Sequence, residues 1–160
     1  MTPIIRPLKT TDVQPMWAIN EQGLPGVGKV TPEALADILS LCTLPLGAFD
    51  GETLMGFVLC MPPDTRYGSL NYRWFHGRYP VFLYVDRIAV GAAYRDLGVG
   101  TALYGEVLAH AAAHGWPVAA EVSKQPPNPG SMRFHGRHGF TSVGVLAHGD
   151  TSVTMMLRPA

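Results

Sequence analysis

Arg95, Gly98 and Gly100 stand in the stretch RDLGVG with the spacing RxxGxG, between the apolar run VFLYVDRIAV and a long helical pattern. Glycines at these places let backbone N–H groups turn towards an anion and approach it closely, and the positive end of the following helix adds a favourable potential. The chemistry that suits this arrangement is the cradling of a pyrophosphate by the backbone of Arg95, Asp96, Leu97, Gly98, Val99, Gly100 and Thr101. Two commoner cradles do not fit. A dinucleotide fingerprint needs a third glycine where Leu103 stands, and no acidic residue follows at the distance that would hold a ribose. The segment GLPGVGKV spaces Gly23 and Gly28 like a Walker loop and sets Lys29 next, but Val30 replaces the hydroxyl that should hold magnesium, and a helical pattern precedes it. His110 and His114 have helical metal-pair spacing without an intervening Glu or a third ligand. They are assigned to complementing the dipole of a helix end, and no metal is expected.

Other residues that could do chemistry are titratable groups in unusual places. Asp86 interrupts an otherwise apolar strand, where a charge needs a partner or a purpose. Strand alternation sets Asp86 and Arg87 on opposite faces, so each is expected to find a separate partner. Asp86 reads either as a base or substrate carboxylate, or as half of an ion pair with an arginine of the preceding loop. Glu121 ends the run PVAAEV and reads as a cleft carboxylate or as a solvated strand-end residue. The connection PPDTRYGSLNYRWFHGRYP gathers arginines and aromatics just before the central strand. It reads as the wall of an acceptor pocket, with aromatics for the body and an arginine for a carboxylate, as a subunit interface, or as a platform for single-stranded nucleic acid. Arg73 and Trp74 from it, with Tyr84 of the next strand, are the expected substrate contacts.

The elements that must position these groups follow from periodicity and punctuation. PIIRPL is a strand; Thr11 or Asp12 caps a helix carrying Val13, Met16, Trp17 and Ile19; Thr31, Pro32 and Glu33 open a second helix. LPLGAFD and TLMGFVLCM form a hairpin joined at Asp50 and Gly51. The run Val81 to Val90 is the central strand, and a helix with Leu103, Val107 and Ala111 on one face closes at Gly115 and Pro117. PVAAEV is the next strand, Asn128 and Pro129 start a short helix reaching about His138, and the tail gives two strands around Gly149 and Asp150. The order is mixed α/β, with hairpins at both ends of a strand–helix–strand–helix centre.

Twelve basic residues balance twelve acidic ones among 160, so no global field draws in nucleic acid or an anionic membrane, and any anion site must be local. Cys42 and Cys60 belong to no paired motif, and both are expected to be small buried apolar residues. The amino terminus has no signal-like apolar stretch, and no run reaches the roughly 20 apolar residues of a membrane helix. The expectation is one soluble, cytoplasmic domain over residues 1–160, without nucleic-acid or membrane partners.

The pattern at Arg95, Gly98 and Gly100 resembles the acetyl-coenzyme A loop of the GNAT superfamily of N-acetyltransferases. NPGSMRFHGRHGF matches that family's later motif at Asn128, Ser131, Phe134, Gly139 and Phe140, and the element order matches along nearly the full length. The resemblance implies a splayed, mostly antiparallel mixed sheet flanked by about four helices, acetyl-CoA as the acetyl donor, and direct transfer to an amine. A small-molecule amine is the expected acceptor, with a protein N-terminal amine as the alternative, and a homodimer is a possible assembly. It also implies coenzyme contacts at Asn128, Ser131 and Phe134, and a backbone donor near Ile88, Ala89 or Val90 for the thioester oxygen. Glu121 resembles the base of the ribosomal-protein alanine acetyltransferases, although two more residues separate it from Asn128. His135 stands where many members carry a tyrosine that protonates the departing thiolate. An imidazolium could serve there, as could a histidine hydrogen-bonded to the core. A coenzyme-binding module without catalysis is the rival that this departure raises.

Overall fold

The computed structural model describes residues 2–160. Seven strands form one sheet in the order β1-β2-β3-β4-β5-β7-β6, and every neighbouring pair is antiparallel except β4 and β5. The first half contributes β1 (Ile4–Pro7), α1 (Val13–Gln22), α2 (Pro32–Leu41), β2 (Leu44–Asp50) and β3 (Thr53–Met61). The second half contributes α3 (Leu70–His76), β4 (Leu83–Val90), α4 (Val99–His114), β5 (Val118–Gln125), α5 (Pro129–Arg137), β6 (Thr141–His148) and β7 (Thr151–Arg158).

Strand alternation builds two cores from one sheet. Phe57, Leu59, Met61, Tyr84 and Ala119 face α1, α2 and α3, while Val58, Cys60, Leu83, Val85, Val118 and Ala120 face α4. The inner strand β3 is therefore apolar and buried at every position after Thr53, as burial on both faces requires.

Local signals place most element ends as expected. The Thr31 hydroxyl accepts from the Ala34 amide at 3.1 Å with Pro32 in the first turn of α2, and the Asn128 side chain does the same for Ser131 at 3.2 Å in α5. Gly115 ends α4 in the left-handed region at φ +69. Asp12 does not cap α1 with its side chain. Its carboxylate turns back to the Lys9 amide at 2.8 Å and to Arg6 at 3.3 Å, opening a 3₁₀ turn before the helix. The first hairpin turns at Gly51 and Glu52, since Asp50 still pairs with Thr53. The long connection contains α3, a five-helix outcome where about four were expected. Ser69 caps it, and Tyr72 and Phe75, three apart, bury one face against Phe82 and Tyr84.

One irregularity shapes the site. Leu59 pairs with Arg87 but Cys60 pairs with Val85, so Asp86 is the extra residue of a β-bulge in β4. A bulge breaks strict alternation and re-aims the side chains around it.

Candidate active site

β4 and β5 pair only at Leu83 with Val118 and Tyr84 with Ala119, then diverge. β5 is held on its other side by β7, so the gap opens between the carboxyl ends of the two parallel strands. A cleft of about 780 Å³ fills the gap on the α4 side. It runs into a smaller cavity of about 390 Å³, and the two share Ile88, Ser123, Ser131 and His135 in their walls. The edge of β4 from Ile88 to Val90 lines the larger cleft, as expected for a strand edge offering backbone groups.

The glycine stretch forms the cradle at the cleft's outer end. Gly98 lies at φ +79 and begins α4 with no side-chain cap, and Asp96 before it lies at φ +62. Amides of the first turn therefore point out uncapped beside the positive end of a sixteen-residue helix. Asp96, Gly98, Val99, Gly100 and Thr101 line the cleft, whereas the Leu97 side chain is exposed away from it, which leaves Leu97 only its backbone to contribute. Gly100 has a packing reason as well: a Cβ there would stand 3.2 Å from the Phe134 ring. Arg95 lines the cleft, and its guanidinium donates to the Gln22 carbonyl at 3.1 Å and the Val90 carbonyl at 3.4 Å, tying the cradle to α1. Asn128, Ser131 and Phe134 all line the cleft, although Asn128 spends a side-chain oxygen on the helix cap.

Glu121 lines the smaller cavity, as does Asp86. The Tyr84 hydroxyl donates to Glu121 at 2.9 Å and Asn71 of α3 at 3.1 Å, while His148 of β6 meets the Asn71 side-chain oxygen at 2.8 Å. Burial, with Asp86 nearby, pushes its pKa up to about 8, against the pull of those donors. The extra residues before Asn128 do not displace it from the cavity.

Asp86 departs from expectation. Its partner is Arg87 itself, at 2.8 Å, because the bulge brings both side chains together. Tyr67 donates to its other oxygen at 2.6 Å, and only 4% of the side chain is exposed. Arg87 also donates to the Asn20 side chain and the Gly28 carbonyl, clamping the loop between α1 and α2 over the cavity. Asp86 is thus an anchor paired with a cation, whereas Glu121 has no cation partner: one Tyr84 hydroxyl lies 2.9 Å from both of its oxygens and Asn71 reaches Oε1.

His135 is buried, with both ring nitrogens bonded. Nδ1 lies 2.9 Å from the Ser131 carbonyl, which can only accept, so Nδ1 carries the proton. Nε2 then accepts from the Tyr104 hydroxyl at 2.7 Å, and burial lowers the imidazole's pKa against the Ser131 bond, which raises it. The imidazole is held neutral in one tautomer, the geometry of a helix-face histidine hydrogen-bonded to the core.

The three expected substrate contacts are not cavity walls. Tyr84 is fully buried and acts on Glu121. Trp74 turns to β6, its ring filling the space a Cβ on Gly144 would take, with Arg78 stacked 3.9 Å over it. Arg73 is exposed, and it lines neither cavity. Of the aromatic connection, Tyr67, Ser69 and Asn71 line the smaller cavity. Sequence reading missed Asn71, Tyr104, Arg137 and the Leu24–Val27 loop, which line the two cavities; the Walker-like glycines of that loop were the only local sign of a close approach. No cluster of metal-ligating side chains occurs among the described residues.

A parallel strand pair that parts beside a glycine-started helix, with a carboxyl at the inner end of the gap, defines an acyl-coenzyme A N-acyltransferase fold. The acetyltransferase (GNAT) family matches residues 19–140, most of the chain, and this protein belongs to that family. Ard1 from Thermoplasma volcanium is similar in structure, with a TM-score of 0.80 at 18% identity over 99% of this chain and 98% of its own. So are the ribosomal-protein-S18-alanine N-acetyltransferase of Escherichia coli (0.75, 16%, 98% and 93%) and Arabidopsis thaliana Naa50 in complex with the bisubstrate analogue CoA-Ac-MVNAL (0.76, 14%, 100% and 100%). No curated protein sequence matches the chain. No helix among the described residues is long and apolar enough to cross a membrane.

Proposed function

We propose that this protein is an acetyl-CoA-dependent N-acetyltransferase that transfers acetyl directly to the amine of a small molecule. The observation that carries the reading is the adjacency of the two cavities through shared walls: uncapped amides at one end, a carboxyl without a cation partner at the other, and an unpaired strand edge between them.

The uncapped first turn of α4, with Gly98 in the left-handed region, fits a diphosphate held by main-chain amides, and Arg95 and Arg137 line the same cleft. The free edge at Ile88 to Val90 fits an extended amide-bearing arm and a donor for a developing oxyanion. Acetyl-CoA, when bound, supplies an activated thioester whose thiol, with a pKa of about 8.5, can leave without an obligatory acid. Glu121, once ionised, takes the proton that the nitrogen must lose on acylation, and the Tyr84 and Asn71 donors orient its carboxylate. Tyr104 and Ser131 fix the tautomer of His135, and burial keeps it a neutral part of the wall that both cavities share rather than a charged acid.

Two similar structures bear names that point to protein acceptors, and the α-amine of a protein is the alternative they suggest. Release of free thiol from acetyl-CoA across a panel of amines tests the reading. Turnover with at least one amine is expected; coenzyme binding without turnover by any amine would make the protein a binding module instead.

A further inference from the structure

The smaller cavity offers no uncommitted cation. Two carboxyls, Glu121 and Asp86, line it with one guanidinium, Arg87. That guanidinium is committed to Asp86 at 2.8 Å, to Asn20 at 3.0 Å and to the Gly28 carbonyl at 3.1 Å. The other lining group able to carry positive charge, His135, is kept neutral by its burial, which outweighs the Ser131 carbonyl bond that favours the charged form. The arginines of the aromatic connection, the natural candidates to receive a substrate carboxylate, are elsewhere. Arg66 pairs with Asp37 at 2.7 Å, Arg78 covers Trp74, and Arg73 is exposed off the cavity.

We infer that the acceptor is a small aliphatic amine or diamine with no carboxylate beside the reacting nitrogen, as opposed to a free amino acid. The inference rests on the acetyltransferase reading of the site and names its substrate class. A carboxylate entering this cavity loses water and gains no uncommitted cation, and once Glu121 is ionised it also meets like charge; an unpaired buried charge is unfavourable. An ammonium entering it can pair with Glu121 once that carboxyl is ionised and then protonate it. Cavity size agrees: about 390 Å³ holds a small molecule, with the loop of Gly26 to Gly28 as its roof.

Matched pairs isolate the carboxylate. Cadaverine and lysine differ only by it, and lysinamide replaces it with a neutral group. Binding of each to the coenzyme A-loaded full chain, by calorimetry, together with kcat/KM from thiol release, is the measurement. Cadaverine and lysinamide are expected to exceed lysine at least tenfold in both. Lysine equal to or better than cadaverine overturns the inference. So does an amidated peptide with a free amino terminus that exceeds every small amine. If coenzyme A binds but no amine does, the inference fails while the cradle stands; if coenzyme A fails to bind, the functional reading falls with it. A Gly28→Lys variant, whose new side chain starts in open space at the cavity wall, is expected to narrow the cadaverine-to-lysine ratio several-fold, and an unchanged ratio removes charge as its cause.

Discussion

At the inner end of the gap the Glu121 carboxyl has given up most of its water, and Asp86 adds repulsion, so its proton is held until about pH 8. A carboxylate of raised pKa is a stronger base, but only above that pH is most of it ionised. With a weakly basic amine that is already neutral at pH 7, the pH dependence of kcat/KM belongs to the protein. It is expected to rise through a limb near pH 8, and Glu121→Gln is expected to remove the limb and lower kcat about 10²- to 10⁴-fold. A limb that persists in the variant would assign the titration to another group. Glu121 was legible in the sequence as a strand-end carboxyl near a glycine loop. Its role could not be separated from a solvated residue there, because the groups that decide it, Asn71 and Tyr84, lie far away along the chain. His135 shows the same limit. The motif set it beside Ser131, but only the contact with Tyr104, thirty-one positions earlier, fixes its tautomer.

Among the elements, β4 carries the clearest departure from sequence pattern. Alternation separates Asp86 from Arg87, and the bulge that unites them leaves no mark in residue type, since it arises from how β3 and β4 register. Helix α3 was hidden for a related reason. Seven residues are too few for a periodic signal, and Leu70, exposed on the outer face, obscures the pair of buried aromatics. Caps and hairpin turns, by contrast, are decided within three or four residues, and Thr31, Asn128, Gly115 and Gly149 could be read directly. The bulge pair also holds the loop between α1 and α2, through Arg87 to Asn20 and Gly28. Arg87→Met leaves Asp86 buried without its cation and is expected to cost about 3–5 kcal/mol in urea unfolding, with much of the loss recovered in Asp86→Asn/Arg87→Met. A cost below about 1 kcal/mol would mean that Tyr67 alone satisfies Asp86.

Across the whole molecule, the order of strands and helices was legible because each element carries its own pattern, whereas the cleft exists only where β4 and β5 stop pairing. Sequence shows that Gly98 needs a special backbone; the fold shows what that backbone faces. A ligand that binds only the folded state stabilises it by about 2.7 kcal/mol at 100 times its dissociation constant, which for this chain length raises Tm by roughly 5–10 °C. Gly98→Ala and Gly51→Ala separate the cradle from general strain. Both residues lie in the left-handed region with open space around them, at φ +79 and +59, so alanine is expected to cost about 1–2 kcal/mol in either place. Only Gly98 lies at the start of α4 in the cleft wall, so only Gly98→Ala is expected to lose more than half of the coenzyme-induced rise in Tm. Equal rises in both variants would move the diphosphate away from these amides, because strain without loss of binding is what a turn of purely structural purpose would show.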